Sequence, residues 1–251
     1  MSDKRPFLFR PLRDSDVPEY AEMLYNSFND WYWKHGWGKD YFGCKPQETS
    51  IFYDIYNDLT PGCSVAAFDD ESGRLVGACF YHPREYHVSL GIMSVHPDYS
   101  GQGIGRSMVD YIIKFTKENN YKCCRLVGSA MNINSFSLYN RSGFVPRVSY
   151  HDMVINVSDD TLEFHASGED QVRDALIKDA AGMGNLEMEV SAIKRDMDYR
   201  YAIKNPRKVL HAAVYENAQG SIDGFMISVK HPALNMLGPC VALRGNCTSS
   251  D

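Results

Sequence analysis

A glycine-rich stretch in the middle of the chain is the part of the sequence best suited to bind a charged group. It reads Ser100-Gly101-Gln102-Gly103-Ile104-Gly105-Arg106 and follows an apolar run that ends at Val95. A strand, a glycine-rich loop and a helix start in this order expose unpaired backbone N–H groups at the positive end of the helix dipole. Such an arrangement binds phosphate, and glycine at 101, 103 and 105 would keep side chains out of the approach.

Two common nucleotide-binding loops do not fit this stretch. No Gly-Lys-Ser or Gly-Lys-Thr follows it, which argues against a nucleoside triphosphate loop. Its glycines also lack the Gly-x-Gly-x-x-Gly order of a dinucleotide-binding turn. Considered alone, the loop could equally be a structural turn.

A second stretch, about 30 residues further on, places a tyrosine in a predicted short helix. It reads Asn132-Ile133-Asn134-Ser135-Phe136-Ser137-Leu138-Tyr139-Asn140-Arg141-Ser142-Gly143-Phe144. Together the two stretches resemble the GNAT superfamily of N-acetyltransferases, over residues 7 to about 157. The family's loop reads Arg/Gln-x-x-Gly-x-Gly/Ala, and Ser100 stands where arginine or glutamine is usual. Its second pattern reads Asn-x-x-Ala-x-x-Leu-Tyr-x-x-x-Gly-Phe, and Ser135 replaces the alanine.

The resemblance implies acetyl-coenzyme A as co-substrate and no metal. Its pyrophosphate would bind the loop, at Ser100, Gly101, Gln102, Gly103, Ile104, Gly105 and Arg106, with Gln102 or Arg106 partly replacing the contact that Ser100 lacks. Its pantetheine arm would pair with the free strand edge formed by Met93, Ser94 and Val95. The N–H near Val95 would polarise the thioester carbonyl, and Asn132 would contact the cofactor arm.

Two proton-transfer roles complete the implied mechanism. Tyr139 would protonate the departing thiolate as general acid, with core packing as its structural alternative. The family has no fixed general base, so Glu85 and His87, beside the predicted cofactor strand, are the candidates, directly or through a water. Glu85 could instead be a solvated turn residue, and His87 an ordinary strand histidine.

Hydrophobic periodicity and turn residues predict the elements that hold these residues. The expected strands are 7–13, 64–68, 75–81, 87–95, 123–127, 144–148 and 150–157, and the expected helices end near 28, 119 and 141. We therefore predict an α/β (α+β) fold with a mixed, mostly antiparallel sheet flanked by helices. Between the first helix and the second strand lie many aromatic residues, which form either a helix pair packed on the sheet or a wall of the acceptor pocket: Trp31, Tyr32, Trp33, Trp37, Tyr41, Phe42, Phe52, Tyr53 and Tyr56.

The polar stretch Ser158-Asp159-Asp160 predicts a boundary between a domain at 1–157 and a smaller one at 158–251. After it we expect a strand at Phe164, helices at 168–181 and 188–202, and strands at 209–215, 225–229 and 236–243. This order repeats the start of the chain, so the second domain is predicted to be an incomplete copy without the phosphate loop. An interaction surface or a substrate lid are the roles considered for it.

Composition narrows the class of protein further. With 251 residues, 44% hydrophobic and 23% charged, the chain is expected to be globular. Its net charge of -6 argues against nucleic acid or an anionic membrane as partner. Seven cysteines without a Cys-x-x-Cys pair predict neither a disulfide framework nor a zinc site. The absence of a signal core and of an 18-residue apolar run predicts a cytoplasmic protein.

The sequence thus predicts an N-acetyltransferase that acts on a small-molecule or peptide amine. The alternative is a non-catalytic or regulatory module that binds acyl-coenzyme A without turnover, which Ser100 and the incomplete second copy leave open. A homodimer is compatible with either function. The acceptor itself is not specified by the sequence, because one fold can serve many substrates.

Overall fold

The computed structural model describes residues 7–36, 38–150, 153 and 168–243. Contacts within the chain divide it into two compact units, one comprising Met1–Phe144 with His231–Leu234 and the other comprising Val145–Lys230 with Asn235–Asp251. Each unit has its own sheet and its own hydrophobic core.

Among its described residues, the first unit contains five strands and four α-helices. In chain order they are β1 Phe7–Arg10, α1 Val17–Lys34, α2 Ile51–Leu59, β2 Ser64–Asp69, β3 Leu75–Pro83, β4 His87–Val95, α3 Ile104–Glu118, β5 Cys123–Arg125 and α4 Ile133–Arg141. The sheet order is β1-β2-β3-β4-β5, with antiparallel pairs throughout except for β4 and β5, which run parallel. The predicted mixed, mostly antiparallel sheet is confirmed.

Helices cover both faces of this sheet. On one face, α3 buries Ile104, Met108 and Ile112, whose spacing of four residues forms one apolar stripe, against Val76 and Val88 of the sheet. Burying a side chain of this size contributes about 1.5–3 kcal/mol to folding. Residues that alternate along β3 therefore face either α3 or the opposite side of the sheet.

On the other face, the aromatic residues of α1, α2 and their connection form a packed cluster. The rings of Tyr20 and Tyr53 meet the ring of Phe80 on β3 edge to face, at 5.6 and 6.1 Å between centroids. Phe42 is buried as well, whereas Trp33 is half exposed. The arrangement matches a helix pair packed on the sheet, the first of the two expected alternatives; Trp37 lies outside the described residues.

The second unit repeats the first part of the first unit. Its elements are β6 Val172–Asp174, α5 Ala180–Ser191, α6 Asp196–Lys204, β7 Leu210–Glu216, β8 Ile222–His231 and β9 Leu234–Ala242. The sheet order β6-β7-β8-β9 corresponds to β1-β2-β3-β4, with two helices after the first strand in both units. Strand β9 begins and ends 147 positions after β4. An incomplete second copy is therefore confirmed at the level of element order.

Several predicted elements in the second half of the chain differ from the structure. The prediction of a helix at 168–181 is wrong over most of its length, because Val172–Asp174 is a strand and α5 starts at Ala180. The helix expected at 188–202 is interrupted where Ala192, with φ of +54°, ends α5. The other segments expected at the end of the chain, 209–215, 225–229 and 236–243, form strands with somewhat longer or shifted bounds.

The region after β5 also differs from expectation. Strand β5 stops at Arg125, and residues 144–150 form no regular element. Pro146 lacks the N–H that a central strand must donate, which explains why the strand expected at 144–148 does not form. Most of the strand expected at 150–157, and Phe164, lie outside the described residues.

Two further observations concern cysteines and membranes. Cys79, Cys123 and Cys124 lie in strand-like runs, which predict buried side chains; Cys79 is buried, but Cys123 is exposed at the edge of the sheet and Cys124 is only partly buried. Across the described segments, none of the helices is both long and apolar enough to cross a bilayer.

Candidate active site

Strands β4 and β5 diverge soon after they start. They pair only at three positions, His87 with Cys123, Val88 with Cys124 and Ser89 with Arg125. Beyond these positions β4 continues to Val95, whereas β5 has ended. The second half of β4 therefore has a strand partner only on its β3 side within the described chain.

Backbone groups of β4 point outward along this open edge. The N–H of His96 donates to the carbonyl of Val76 at 2.8 Å, so Gly77 and Val95 form a non-hydrogen-bonded pair. By the alternation of an antiparallel ladder, the N–H and C=O groups of Val95 and Met93 then face away from β3. The hydroxyl of Ser27 lies 2.7 Å from the carbonyl of Met23 and 3.0 Å from the outward carbonyl of Val95, and its one proton is shared between these two acceptors. The edge predicted to receive an extended ligand exists; the pairing itself stays a prediction.

A β-bulge lies in the middle of β4. The register changes between the pairs Cys79–Met93 and Tyr81–Leu90, so Gly91 and Ile92 together oppose one residue, Phe80. Bulges bend a strand and redirect its groups, and they often lie next to functional sites. The bulge is therefore the point where the backbone of β4 turns relative to β3.

Glycine is required at this bulge by a close approach. A Cβ atom at Gly91 would lie 2.9 Å from Nε2 of His82, 3.0 Å from the side chain of Phe80 and 3.1 Å from the ring of Tyr56. None of these three neighbours could stay in place beside a larger residue. Position 91 therefore brings the β4 backbone against His82.

Downstream of β4, the glycine-rich loop presents free amides. The first intrahelical bond of α3 runs from Ser107 N to Gly103 O at 3.0 Å, so the amides of 104, 105 and 106 have no helical acceptor. Gly101 and Gly103 adopt φ of +78° and +88°, and a Cβ atom at either would meet nothing within 4 Å. Their amides thus lie beside open space at the positive end of α3.

Gly105 has a different role from the one expected. A Cβ atom there would touch Leu138 at 3.4 Å and Val95 at 3.8 Å, inside the protein. A side chain at 105 would therefore not block the open side of the loop. Gly105 instead lets α3 lie close to α4 and β4.

The charged and polar side chains of the loop are turned toward their own segment. Nε of Arg106 lies 2.9 Å from both carboxylate oxygens of Asp110, and its Nη1 donates to Arg141 O at 3.3 Å. Gln102 donates to Asp98 O at 3.4 Å. An exposed i,i+4 ion pair contributes only about 0.3–0.5 kcal/mol, so an incoming anion could draw Arg106 away from Asp110.

Tyr139 and Asn132 lie on α4, on the α3 side of the sheet. The side chain of Asn132 accepts from Ser135 N at 3.0 Å and so caps α4. Burial raises the pKa of Tyr139, and the nearby Cys79 thiol raises it further. Tyr139 packs against the core that contains Cys79, the residue of β3 that pairs with Met93. Its raised pKa keeps the phenol protonated, as a proton donor requires.

Glu85 and His87 lie at the opposite end of β4. Glu85 is exposed in the turn after β3, next to Tyr86, whose pKa it raises through a hydrogen bond. His87 is buried and is the first residue of β4. It lies eight positions before Val95, about 26 Å at ~3.3 Å per strand residue, and four positions before Gly91 of the bulge, about 13 Å. The structure does not bring either residue to the open edge, and their role as base stays a prediction.

His82, which is not among the residues that the sequence predicts for the site, lies beside the bulge. Its Nδ1 is 2.7 Å from the hydroxyl of Thr60, and its Nε2 is buried with no hydrogen-bond partner in the described structure. Burial and the charge of Arg84 lower the pKa of His82 to about 3, so the ring is neutral. The one available signal was its alternation with Phe80 in β3, which is also typical of an ordinary buried residue.

Comparison with known proteins matches part of this chain to a known family. The sequence model of the acetyltransferase (GNAT) family matches residues 22–144. No curated protein sequence matches the chain significantly.

Among solved structures, a proposed acetyltransferase from Pyrococcus horikoshii is 15% identical, with 94% of this chain and 71% of that one covered and a TM-score of 0.66. The PaiA N-acetyltransferase from Thermoplasma acidophilum, in complex with coenzyme A, is 21% identical over 59% and 93%, with a TM-score of 0.47. A GNAT family acetyltransferase from Brucella melitensis, in complex with acetyl-CoA, is 18% identical over 61% and 97%, with a TM-score of 0.42. At such low identity, the first of these likenesses shows that the fold is shared over nearly the whole chain.

Proposed function

Because residues 22–144 form an acetyltransferase domain of the GNAT family, we propose that the protein transfers an acetyl group from acetyl-coenzyme A to an amine of a small molecule or peptide. The observation that carries the proposal is the open edge of β4, which leads directly into the free amides at the start of α3. One end of this arrangement suits a pyrophosphate, and the other suits an extended amide-containing arm.

The cofactor would be held almost entirely by backbone groups. Its phosphates would accept from the amides between Gly101 and Arg106. Its arm would run from this loop back along β4 and pair with Val95 and then Met93, as an added strand does. The thioester would thereby approach the bulge at Gly91 and Ile92, and an outward amide of this edge would stabilise the charge that develops on its carbonyl oxygen.

The reaction itself needs few side chains. The amine nitrogen forms a bond to the acetyl carbon and loses a proton to a base or to water, and the bond from that carbon to sulfur breaks. Tyr139, which its raised pKa keeps protonated, would give its proton to the departing thiolate and regain one from solvent. Most of the rate gain would come from holding amine and thioester in line.

Calorimetry and a transfer assay test this function together. Acetyl-coenzyme A should bind the folded protein, and labelled acetyl groups should appear on at least one member of a panel of polyamines, amino acids, aminoglycosides and peptides. Binding without product would indicate a module that holds acyl-coenzyme A without turnover. If no acyl-coenzyme A binds at all, the proposed function is wrong.

A further inference from the structure

A cleft in the second unit is larger than its counterpart in the first. It lies between α5, the hairpin that joins β7 to β8 and the end of β9, and its volume is about 560 Å³. The first unit has a cleft of about 100 Å³ between α1, the hairpin that joins β2 to β3 and the end of β4. The two clefts therefore lie among corresponding elements of the repeated fold.

The backbone around the two clefts can be aligned residue by residue. Helix α5 begins 163 positions after α1, and β8 begins 147 positions after β3. Each sheet has a β-bulge with one extra residue, Val76 in β3 and Asp223 in β8. The carbonyl of Val76 accepts the N–H of His96 at 2.8 Å, and the carbonyl of Asp223 accepts the N–H of Leu243 at 3.0 Å. At these intervals, all seven residues that line the first cleft have a counterpart in the lining of the second.

Polar side chains fill the cleft of the first unit. The carboxylate of Glu19 accepts the N–H of Leu75 at 3.0 Å and so joins α1 to the hairpin. Nη2 of Arg74 lies 2.8 Å from Nε2 of His96, which joins the hairpin to the end of β4. These contacts leave little space for a ligand.

The second unit lacks all three of these polar groups. Gly182, Ser221 and Leu243 take the places of the glutamate, the arginine and the histidine. Glycine and serine leave most of the corresponding space empty, and a leucine forms no hydrogen bond with the hairpin. This exchange explains why the second cleft is several times larger.

The lining of the second cleft combines apolar side chains with an excess of negative charge. Its apolar part is formed by Leu186, Ile222 and Leu243. Four carboxylates and two cationic side chains complete the lining, so the cleft carries two negative charges in excess when all of them are ionised.

The charges of this cleft are not all paired with each other. Arg173 is held by Asp179 at 2.7 Å and by Glu216 at 2.6 Å. Glu189, on α5, has no ion-pair partner among the described residues. Its carboxylate is therefore available to a cation that enters the cleft.

A ligand that fits this cleft carries positive charge and an apolar chain. The excess negative charge opposes carboxylates and phosphates, whereas an ammonium group forms charge-assisted hydrogen bonds with carboxylates. Methylene groups are stabilised by contact with the apolar part of the lining. A volume of several hundred Å³ is typical of small-molecule sites.

We infer that the second unit binds a small aliphatic amine in this cleft, with an ammonium group on Glu189 and the methylene groups on the three apolar side chains. All the lining residues belong to the second unit, so the site differs from the site of acetyl transfer proposed for the first. No covalent bond forms or breaks here. The inference therefore holds whether or not the protein transfers acetyl groups.

An NMR titration tests the place and the ligand class together. We expect 1,5-diaminopentane, added to the intact nitrogen-15-labelled chain without acetyl-coenzyme A, to shift the amide signals of Gly182, Glu189 and Ser221. Glutarate and 1,5-pentanediol have the same chain length with opposite or no charge, and they should leave these signals in place. Because salt screens exposed charges, binding of the diamine should weaken as the ionic strength rises.

Two substitutions test the lining itself. Ser221→Arg copies the residue of the first unit, and it should raise the Kd for the diamine at least about tenfold because it fills the cleft and adds a cation. Glu189→Gln keeps the shape but removes a charge, and it should raise the Kd by about fivefold. Both positions are exposed, so the fold should tolerate either change. Asp170→Asn, at an exposed carboxylate outside the cleft, is the control and should keep the wild-type Kd.

The outcomes separate this inference from the proposed function. Shifts confined to amides of the first unit would mean that the amine binds there, and they would overturn the inference. Absence of any shift, equal shifts with glutarate or the diol, or equal Kd values in the wild type and both variants would overturn it as well. A chain that binds the diamine at Glu189 and Ser221 but binds no acetyl-coenzyme A would support the inference and remove the proposed function.

Discussion

Arg173 and Asp179 form in the second unit the same two-bond ion pair that Arg10 and Asp16 form in the first. The bonds measure 2.7 and 3.1 Å in one pair and 2.6 and 2.9 Å in the other. Each carboxylate also accepts an amide three residues earlier, from Leu176 in one unit and from Arg13 in the other. Both pairs tie the end of the first strand to the start of the first helix, which is direct structural support for an internal duplication.

This pair predicts a pH-dependent contribution to stability. Hydrogen bonding to Arg173 lowers the pKa of Asp179, so the stabilisation is present above the unfolded-state pKa of about 4 and is lost as pH falls. Asp179→Asn should reduce the free energy of unfolding by about 2 kcal/mol at pH 7, and by less at pH 3. Urea unfolding at both pH values measures this. The exposed Asp174→Asn is the control; an equal loss at both pH values would contradict the assignment.

One buried helix position is apolar in the first unit and carries a carboxylate in the second. Glu187 lies 163 positions after Leu24, the same interval that separates the two ion pairs, and both residues are almost fully buried. The carboxylate of Glu187 binds Arg195 at 2.9 and 2.6 Å and also accepts the hydroxyl of Tyr199. The second unit thus has a buried polar cluster where the first has a leucine.

Removing one member of this cluster should cost more than removing all of it. Glu187→Gln leaves the charge of Arg195 unpaired, and we expect a loss of about 3–5 kcal/mol in the free energy of unfolding. The triple variant Glu187→Leu, Arg195→Met, Tyr199→Phe should recover most of that loss, because it copies the apolar solution at Leu24. Chemical denaturation of the two variants decides, and a triple variant less stable than the single one would contradict this view.

The features that could be predicted from the sequence are those formed by residues contiguous in the chain. The loop at 100–106 and the helix that carries Tyr139 are contiguous in the chain, so their patterns identified them. The bulge at Gly91 and Ile92 depends on the register between β3 and β4, which no local pattern encodes. For the same reason the contact between His82 and the bulge could not be predicted before the strands were aligned.

The proposed binding of phosphate by the glycine-rich loop at 100–106 can be tested through the backbone conformation of Gly103. Gly103 has φ of +88°, and alanine in that region costs about 1–2 kcal/mol and would turn neighbouring amides. We expect Gly103→Ala to weaken acetyl-coenzyme A binding at least about tenfold, which corresponds to about 1.4 kcal/mol. Gly73→Ala, in a turn with φ of +70°, should lose similar stability but keep its Kd. Equal Kd values for the two variants in calorimetry would argue against a phosphate site at this loop.

A substitution at Tyr139 can separate its proposed role as general acid from its contribution to packing. Tyr139→Phe keeps the ring, which meets Phe144 edge to face at 6.0 Å, but removes the proton. We expect kcat to fall by about 10²–10⁴ with an unchanged Kd for acetyl-coenzyme A. Tyr121→Phe, whose ring stacks on Phe115, is the control and should retain full kcat.

The acidity of the leaving thiol and the pH dependence of kcat provide two further tests of Tyr139 as the acid. A thioester of a more acidic thiol needs less help from an acid, so the loss caused by Tyr139→Phe should shrink with such a donor. Because the pKa of Tyr139 is raised above its usual value near 10, the phenol stays protonated across the working range. Wild-type kcat should therefore show no decline from Tyr139 ionisation between about pH 7 and 10. A loss that is the same for every leaving group would mean that Tyr139 only shapes the site and transfers no proton.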